Sequence, residues 1–435
     1  MKLLEQIKQL DFPAPIPETL LMIEQTFEAP KAVDVAATAQ NALETGELLA
    51  RMKPGATVAV GVGSRGIANI PIIVKAAIDR LKAEGMNPFI FPAMGSHGGA
   101  TAEGQREVLA NLGVTEESIG VEIKATMDVV KIGAVDGGPE LFMDINAAQA
   151  DHTLLIGRIK PHTDFRAKLE SGLSKMAVIG LGKIRGATDM HSLGVPGFQQ
   201  FLAPAAREYE ANTNVVGGLA IIENAYDETA EIIGLTAAQI GTATEEALLE
   251  RSKDLMPSLP FPEIDVLAVK QMGKDISGAG MDSNIISRLQ IPRQPENFGK
   301  IDIAIVAVLA LTEATHGNAT GIGLADVTTA RVANEIEWVS TYTNIITSGS
   351  LGVQRGTLPL VLPNDQQALQ VALRCCGQPQ ATARIVLIKD TLHLGQLWVS
   401  PSLRDAVEAH ARLSIVEEVP LSFTDDGTMT GPWRL

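Results

Sequence analysis

Short apolar runs alternate with amphipathic segments along the first half of the chain. Two amphipathic segments, 70–85 and 101–113, carry apolar residues at helical spacing and end in glycine, which predicts helices. Runs rich in apolar and β-branched side chains predict buried strands, and they lie at residues 57–62, 88–95, 152–159 and 215–224. Alternating strands and helices are typical of an α/β domain with a mostly parallel sheet.

A proline-rich segment at 256–262 separates two halves of similar pattern. The second half has further strand candidates at 301–311 and 381–390, with amphipathic helix candidates between and after them. We therefore predict an α/β protein of two domains with mostly parallel sheets, with an N-terminal domain 1–260 and a C-terminal domain 261–435. The sequence leaves open whether the tail after about residue 418 packs on the first domain.

Composition narrows the class of protein. The 435 residues carry a formal net charge of −16, whereas nonspecific binding to nucleic acid needs a basic surface. No apolar run approaches the roughly 18 residues of a membrane span, and the first residues lack the pattern of a signal peptide. Cys375 and Cys376 are neighbours, which favours neither an unstrained disulfide nor a zinc site. These features predict a cytoplasmic protein that binds neither nucleic acid nor membrane, and they leave homo-oligomerisation open.

A cluster of cations between residues 158 and 191 contrasts with this acidic background. Such a cluster favours an anion site for a phosphate or carboxylate group. A solvated basic surface explains the same composition equally well. The members are Arg158, Lys160, Arg166, Lys168, Lys175, Lys183 and Arg185.

A glycine-rich segment, 61–66, follows the first predicted strand, and ligands of α/β sheets bind where strands end. The backbone N–H groups around Ser64 and Gly66, with the Arg65 guanidinium, can hold an anion there. A tight glycine turn is the alternative interpretation.

Two histidines also follow predicted strands. His97 lies among glycines after the second strand, and His162 follows the third. Both titrate near neutral pH, so they suit an acid/base pair that flanks one substrate; for His97 the alternative is a turn histidine beside a helix. Farther along, Lys175 suits a nucleophile and His191 a metal ligand, although each can also be purely structural.

Together these residues resemble the nickel-dependent lactate racemase family. The resemblance extends over both halves of the chain and implies two α/β domains with the active site in the cleft between them. The family's order is Arg, His, His, Lys, His and then Gln-x-x-Lys, matched here by Arg65, His97, His162, Lys175, His191, Gln271 and Lys274.

The resemblance also implies a cofactor, the nickel-pincer nucleotide, a nickel pyridinium-3-thioamide-5-thiocarboxylate mononucleotide made by dedicated synthesis proteins. It makes Lys175 the covalent attachment point, through a thioamide, and His191 the protein's nickel ligand. The residues expected to help hold the cofactor are Lys175, Ser64, Arg65, Gly66 and Lys160. Those expected to hold the substrate include Arg65, Gln271 and Lys274.

The reaction implied is the racemisation or epimerisation of a 2-hydroxy acid. The hydrogen on C2 is too weakly acidic for simple proton abstraction, and the resemblance implies reversible hydride transfer to the cofactor instead. His97 and His162 would accept and return the hydroxyl proton, one for each enantiomer. A cationic clamp would hold the carboxylate throughout.

Two departures from the family pattern argue against lactate itself as the substrate. Arg65 is flanked by small residues, Gly63, Ser64 and Gly66, where the best-known members carry an acid and a threonine. The polar stretch between His162 and Lys175 is also longer than in lactate racemase. We therefore expect a larger or more polar hydroxy acid, such as a sugar acid or a dicarboxylate.

The second half contributes one further candidate segment, 315–329, which is rich in glycine and hydroxyl side chains. His316 and Asn318 are candidate substrate-binding residues there, and a polar loop that caps the next helix is the alternative.

Two other functions compete with the racemase. One is a lyase or hydrolase that binds an ordinary divalent metal through His97, His162 and His191. The other is a non-catalytic sensor of a nucleotide or an acid, whose binding would survive loss of His97 and His162 together.

Overall fold

The predicted strands and helices are present in the computed structural model, which describes residues 2–7, 15–64, 66–296 and 298–432. The strands are β1 (Thr19–Gln25), β2 (Thr57–Val62), β3 (Asn87–Pro92), β4 (Val129–Ala134), β5 (Glu140–Asp144), β6 (His152–Arg158), β7 (Val215–Glu223), β8 (Thr229–Thr236), β9 (Glu263–Val269), β10 (Asp302–Val308), β11 (Val327–Thr329), β12 (Leu360–Leu362), β13 (Ile385–Ile388), β14 (Gln396–Val399) and β15 (Leu413–Pro420).

The helices fall between these strands, as the alternating pattern predicts. A π-helical segment, Met176–Leu181, joins α7 to α8. None of the helices in the described ranges has the length and apolarity needed to cross a membrane. The α-helices are α1 (Lys2–Ile7), α2 (Val35–Thr45), α3 (Ile70–Ala83), α4 (Ala102–Asn111), α5 (Glu116–Ile119), α6 (Ile145–Gln149), α7 (Gly172–Lys175), α8 (Lys183–Ser192), α9 (Gly194–Asn212), α10 (Ala243–Leu255), α11 (Ser283–Ile286), α12 (Ala330–Glu335), α13 (Trp338–Thr347), α14 (Asp365–Cys375) and α15 (Arg404–Glu408).

The chain divides by its contacts into two units. The central unit is Glu28–Met256, and the terminal unit combines Met1–Phe27 with Pro257–Leu435. The central unit contains a five-stranded sheet in the order β3-β2-β6-β7-β8, in which only β8 runs antiparallel to its neighbour. Side chains of β2, β3 and β6 pack with those of α2 and α3 in one apolar core. Because these strands are covered by other elements, their sequences are nearly continuous apolar runs.

The terminal unit contains an eight-stranded sheet in the order β12-β11-β10-β9-β13-β14-β1-β15. The strands from β12 to β13 are parallel, and β14, β1 and β15 pair antiparallel. Strand β1 lies between β14 and β15, so the expected N-terminal domain 1–260 differs from the central unit by its first strand. The antiparallel ladder satisfies the backbone groups of β1 on both sides.

The described part of the C-terminal tail makes backbone contacts within the terminal unit. The backbone N–H of Leu421 donates to the carbonyl of Glu18 at 2.8 Å. The buried carboxylate of Asp365 accepts the N–H of Met429 at 2.9 Å. The tail is therefore held by Asp365 and by the segment just before β1, whose residues lie in the sequence range 1–260 but belong to the terminal unit.

Candidate functional site

Three turns of the central unit, those after β2, β3 and β6, meet the segment that begins at Lys175. A Cβ atom added to Gly63 would lie 3.2 Å from Met176 Sδ, and one added to Gly95 would lie 3.1 Å from Ile179 Cγ2. Gly157, near the end of β6, leaves a hypothetical Cβ only 2.7 Å from Met176 Cγ. The strand ends and the lysine segment therefore pack directly together, as expected for parallel strands whose carboxyl ends share one edge.

His162 and Lys175 contact each other, with Nε2 and Nζ 2.8 Å apart. The other ring nitrogen of His162, Nδ1, accepts the backbone N–H of Asp164 at 3.1 Å. A backbone N–H can only donate, so a neutral His162 ring carries its proton on Nε2. In that tautomer Nε2 can donate to a neutral Lys175 amine, whereas with the hydrogen on Nδ1 it accepts from the Lys175 ammonium. A neutral amine is the nucleophilic form of lysine.

His191 joins the same cluster through two phenylalanines. The ring of His162 stacks on Phe165 at 4.5 Å between centroids, and Phe165 stacks on Phe198 at 5.2 Å. His191 meets Phe198 edge-on at 5.0 Å, and Lys175 Nζ lies 6.0 Å from the centre of the Phe198 ring. His162, Lys175 and His191 are therefore grouped around one aromatic surface.

His191 is held in the form that binds metals. Burial lowers its pKa, the charge of Lys175 lowers it further, and Asp164 raises it. The side chain nevertheless retains access to solvent. Burial is the largest cause, and the direction is therefore independent of the charge on Lys175. A neutral imidazole has a lone pair for a metal ion.

The buried carboxylate of Glu170 holds the loop that carries His162. It accepts the N–H of His162 at 2.9 Å and that of Ala167 at 3.3 Å. Arg166 and Lys253 lie 3.4 Å and 3.3 Å from its oxygens and compensate its charge. The long polar stretch between His162 and Lys175 is thus folded around an internal carboxylate, which removes the cost of burying that charge unpaired.

A second buried carboxylate, Glu245, fixes the start of the lysine segment. It accepts the N–H of Ser174 at 3.0 Å and that of Gly241 at 2.9 Å, and the Ser174 hydroxyl also donates to it. Gly172 has φ of +84°, and a side chain there would lie 2.5 Å from the Glu245 carboxylate. Glu245 therefore sets the backbone one residue before Lys175.

Replacing Glu245 with glutamine should change how stability depends on pH. Burial, the largest cause, raises the pKa of Glu245 above its ordinary 4.5. A raised pKa contributes stability that is fully present below the unfolded-state pKa and is lost as pH rises through the folded-state pKa. The free energy of unfolding of the wild type, minus that of the variant, should therefore fall as the pH rises above the ordinary glutamate value of 4.5, until the pH exceeds the raised folded-state pKa.

The fall should be about 1.4 kcal/mol for each pH unit by which the folded-state pKa exceeds the unfolded-state pKa. Urea unfolding at a series of pH values measures it. Glu246→Gln, at the neighbouring and more open position, is the matched control for the loss of one carboxylate from the same helix. If the difference in the free energy of unfolding between the wild type and Glu245→Gln did not change with pH, the raised pKa of Glu245 would be contradicted.

His97 lies in the turn after β3, and Gln105 holds that turn in place. The side-chain amide of Gln105, buried on α4, donates to the carbonyls of Met94 and Gly95 at 2.8 Å and 2.9 Å. His97 itself is exposed. The turn is therefore fixed at its base, while the imidazole remains open to a ligand.

Lys183 connects this turn to the helix that carries His191. Its fully buried ammonium donates to the Gln105 side-chain oxygen at 3.1 Å and lies 3.0 Å from an Asp144 carboxylate oxygen. Lys183 is the first residue of α8, and His191 lies near the end of that helix. His97 thus occupies a separate turn that is joined to the His191 helix through one buried cation.

The cation cluster between residues 158 and 191 is not one continuous anion site. Arg158 pairs with Glu223, Arg166 with Glu170, Lys183 with Asp144 and Arg185 with Glu140. Because these charges are compensated within the protein, the expectation that the whole set holds a phosphate is wrong.

The glycine-rich turn after β2 is described except for Arg65, which lies outside the described residues. Gly66 is exposed and Ser64 half-buried. The N–H of Ala68 donates to Glu223 at 2.6 Å, which ties the turn to the end of β7. Lys160, the other expected cofactor contact, is fixed through its backbone, whose N–H donates to Ser171 Oγ at 2.8 Å.

The remaining expected substrate residues lie in the terminal unit. Gln271 follows β9, and its N–H donates to the carbonyl of Lys389 at 3.1 Å. Thr315 Oγ1 accepts the N–H of Lys274 at 3.1 Å and donates to the carbonyl of Asn318 at 2.8 Å. His316, between them in sequence, is exposed with φ of +49°. Lys274, His316 and Asn318 therefore lie on two turns joined by Thr315.

Among the described residues, no group of three His, Cys, Asp or Glu side chains is arranged to hold a metal ion. Ordinary catalytic metal sites use three protein ligands. The geometry therefore gives no support to a divalent ion held jointly by His97, His162 and His191.

A cavity of about 910 Å³ in the terminal unit is lined by Arg288, Asp302 and Asp326 among others. It lies at the amino ends of β10, β11 and β12, whereas ligands of such sheets bind at the carboxyl ends. Its main cation is already paired, because Arg288 donates to Asp326 at 2.6 Å. We therefore place no functional site there.

Sequence reasoning missed the residues that position the site. The pattern of the sequence singles out none of Glu170, Gln105, Phe198 and Glu245. An acid within eight residues of His162 is a weak signal for Glu170. Nothing in the sequence marks Glu245, which is 71 residues from Ser174 along the chain.

No family model matches the chain, and no curated protein matches it in sequence. The lactate racemase apoprotein from Thermoanaerobacterium thermosaccharolyticum is similar in structure, at 12% sequence identity and a TM-score of 0.49, over 86% of this chain and 98% of that one. A protein from Thermotoga maritima is similar at 11% identity and a TM-score of 0.43, over 63% of this chain and 69% of that one. Similarities this weak carry no argument about function.

Proposed function

We propose that this protein is a racemase or epimerase of a 2-hydroxy acid that uses a nickel-pincer nucleotide attached to Lys175. The observation that carries the proposal is the 2.8 Å contact between Lys175 Nζ and His162 Nε2. His191 belongs to the same aromatic cluster. An attachment point, an acid/base group and a nickel ligand must lie close together in such an enzyme, and these three residues do.

The residues around Lys175 fit this cofactor. The contact with His162 suits a neutral lysine amine, which is the form able to form a covalent bond. The lowered pKa of His191 suits a neutral imidazole that binds nickel. Phe165 and Phe198 offer aromatic faces against which a pyridine ring can stack. A single protein ligand is sufficient where the cofactor itself supplies two sulfur atoms and a carbon.

When bound, the cofactor supplies the acceptor and donor of a hydride at C2 of the substrate. The protein's own residues handle the proton. The His162 imidazole, which lies against the Lys175 side chain, is the proposed group that accepts the proton of the substrate hydroxyl and returns it. Accepting that proton at Nε2 requires the neutral tautomer whose hydrogen is on Nδ1. His97, exposed on its fixed turn, has the same role towards the other enantiomer.

The substrate is proposed to be larger or more polar than lactate, such as a sugar acid or a dicarboxylate. Arg65, Gln271 and Lys274 are the proposed contacts to its carboxylate and hydroxyl oxygens, with His316 and Asn318 as further polar contacts. Ser64, Gly66 and Lys160 are proposed to help hold the cofactor. The proteins that synthesise the cofactor are the proposed partners.

The test is to co-produce the protein with the cofactor-synthesis proteins and to measure the mass of the peptide that contains Lys175, together with nickel content. We expect a nucleotide-sized adduct on Lys175 and close to one nickel per chain. A screen of 2-hydroxy acids for racemisation then identifies the substrate.

A lactate racemase produced in the same host is the control for cofactor supply. An unmodified Lys175 in a preparation where that control is loaded would overturn the proposal. Activity that is lost on chelation without any organic adduct would favour the ordinary metal enzyme instead.

A further inference from the structure

A histidine and a buried aspartate form a hydrogen-bonded pair in the turn that follows β13 (the dyad turn, residues 389–393). His393 Nδ1 lies 2.7 Å from Asp390 Oδ1. The Asp390 side chain is 1% exposed, whereas that of His393 is 59% exposed. The same Oδ1 atom accepts the backbone N–H groups of Leu392 and His393 at 2.9 Å and 3.0 Å. One buried oxygen atom therefore fixes both the backbone of the turn and the direction of the imidazole.

This pair also determines which ring nitrogen of His393 carries a hydrogen. An ionised carboxylate can only accept hydrogen bonds, so Nδ1 must be the donor. Nε2 then has a lone pair in the neutral ring and a hydrogen in the protonated ring. His410 of the same unit has the other arrangement, because its Nδ1 accepts the backbone N–H of Arg412 at 3.2 Å. Since most of the His393 side chain is exposed, its Nε2 atom is the one that a ligand can reach.

The dyad turn lies where ligands of parallel sheets bind, at the carboxyl end of a strand. The loop 271–282, which contains two of the proposed substrate contacts, is hydrogen-bonded to this turn at both ends. At its start the N–H of Gln271 donates to the carbonyl of Lys389 at 3.1 Å. At its end the N–H of Asp282 donates to Thr391 Oγ1 at 3.0 Å. The dyad turn therefore belongs to the same edge of the sheet as the residues proposed to bind the substrate.

We infer that His393 contacts a hydroxyl group of the substrate beyond the one at C2, which makes a sugar acid the substrate class. The inference rests on the proposed racemase or epimerase function. A hydroxyl group can donate to the lone pair of Nε2 and can accept from its hydrogen, so it suits both protonation states of the ring. An ionised carboxylate can only accept, so it suits the protonated ring alone. Of the two substrate classes proposed above, His393 therefore favours the sugar acid over the dicarboxylate.

A ring held in advance in one direction also favours binding. An exposed side chain usually loses rotamer freedom when a ligand immobilises it, and that loss weakens binding. Because Asp390 already holds the His393 ring, this loss is reduced. Burial of the Asp390 carboxylate is in turn compensated by its three hydrogen bonds within the dyad turn.

The orientation of the ring is tested on the cofactor-free protein by NMR of isotope-labelled histidine, in which nitrogen–proton couplings distinguish the two tautomers. We expect the hydrogen of His393 on Nδ1 and that of His410 on Nε2, which is the internal control. Asp390→Asn keeps an accepting oxygen and should keep the His393 tautomer, whereas Asp390→Ala should lose it. A His393 ring with its hydrogen on Nε2 in the wild type would overturn the inference.

The substrate class is tested on cofactor-loaded protein by the rate of inversion at C2. The probes are lactate, malate as a dicarboxylate, and the sugar acids glycerate, threonate and gluconate. We expect kcat/KM for at least one sugar acid to exceed the values for lactate and malate. His393→Phe should lower that kcat/KM at least about tenfold and leave the rate for lactate unchanged, because lactate has no further hydroxyl to lose a contact.

His410→Phe is the matched control, since His410 precedes β15, a strand separated from β13 by β14 and β1. It should leave all the rates unchanged. The mass of the Lys175 peptide is measured first on the same preparation, and an unmodified Lys175 beside a loaded lactate racemase overturns the proposed function and this inference with it. With the adduct present, the inference alone is overturned if malate is inverted at least as fast as every sugar acid, or if His393→Phe changes the rates for lactate and the sugar acids by the same factor.

Discussion

Replacing Lys175 with alanine should abolish cofactor retention and lower turnover by on the order of 10⁴-fold or more, the scale seen when a group central to the chemistry is removed. The reason is that the Lys175 amine, 2.8 Å from His162, is the proposed attachment point. Lys175→Arg keeps a cation but not the nucleophilic amine, so it should fail equally. The measurements are nickel per chain, adduct mass and racemisation rate.

Lys168→Ala is the matched control, since Lys168 is an exposed lysine of the same loop. It should retain cofactor and activity. Lys175 is only half-buried, and its loss should change the free energy of unfolding by no more than about 1 kcal/mol. Normal nickel content and activity in a well-folded Lys175→Ala protein would rule out covalent attachment of the cofactor at Lys175.

The strands were predictable because buried parallel strands leave a direct signal in the sequence. Runs such as Thr57–Val62 and Val215–Glu223 are covered on both faces and are therefore almost wholly apolar. The positions of His97 and His162 followed from the same signal, because residues after parallel strands gather at one edge. Their assignment to turns of the central unit required no knowledge of side-chain contacts.

The partners of β1 were not predictable from the pattern. Leu21 pairs with Val399 on one side and Glu418 on the other. Strand pairing at such separation depends on the shape of the whole sheet, and alternation in one segment does not identify its neighbour. The expectation of a continuous N-terminal domain 1–260 assumed that segments adjacent in sequence pack together, and β1 does not.

The positioning residues of the site were hidden for a related reason. Glu170, Glu245 and Lys183 belong to residue types that are usually exposed. From the sequence, each is therefore expected to be a charge on the protein surface. Their burial depends on compensating groups from other elements, such as Lys253 for Glu170 and Asp144 for Lys183. Lys183 in particular was grouped with the anion-binding cations, although its amine points into the core.

Replacing Lys183 with methionine should lower the free energy of unfolding by about 3–5 kcal/mol, the cost of leaving a buried charge without its partner. Both members of the pair are fully buried. Burial, the largest cause in each case, raises the pKa of Asp144 and lowers that of Lys183. The Asp144 oxygen nearest the ammonium has no aligned hydrogen bond, so the contact is mainly an ion pair. Urea unfolding measures the loss.

A double variant separates the charge from the packing. Asp144→Asn/Lys183→Met removes both charges, and it should recover a large part of the loss because replacing a whole buried pair is far less costly than breaking it. Arg185→Met, which removes an exposed cation from the same helix, should cost no more than about 1 kcal/mol. Equal losses in the single and double variants would show that Lys183 acts through packing alone. Recovery in the double variant would instead show that most of the loss comes from the charge left unpaired on Asp144, because the contact of Lys183 with Gln105 is absent from both variants.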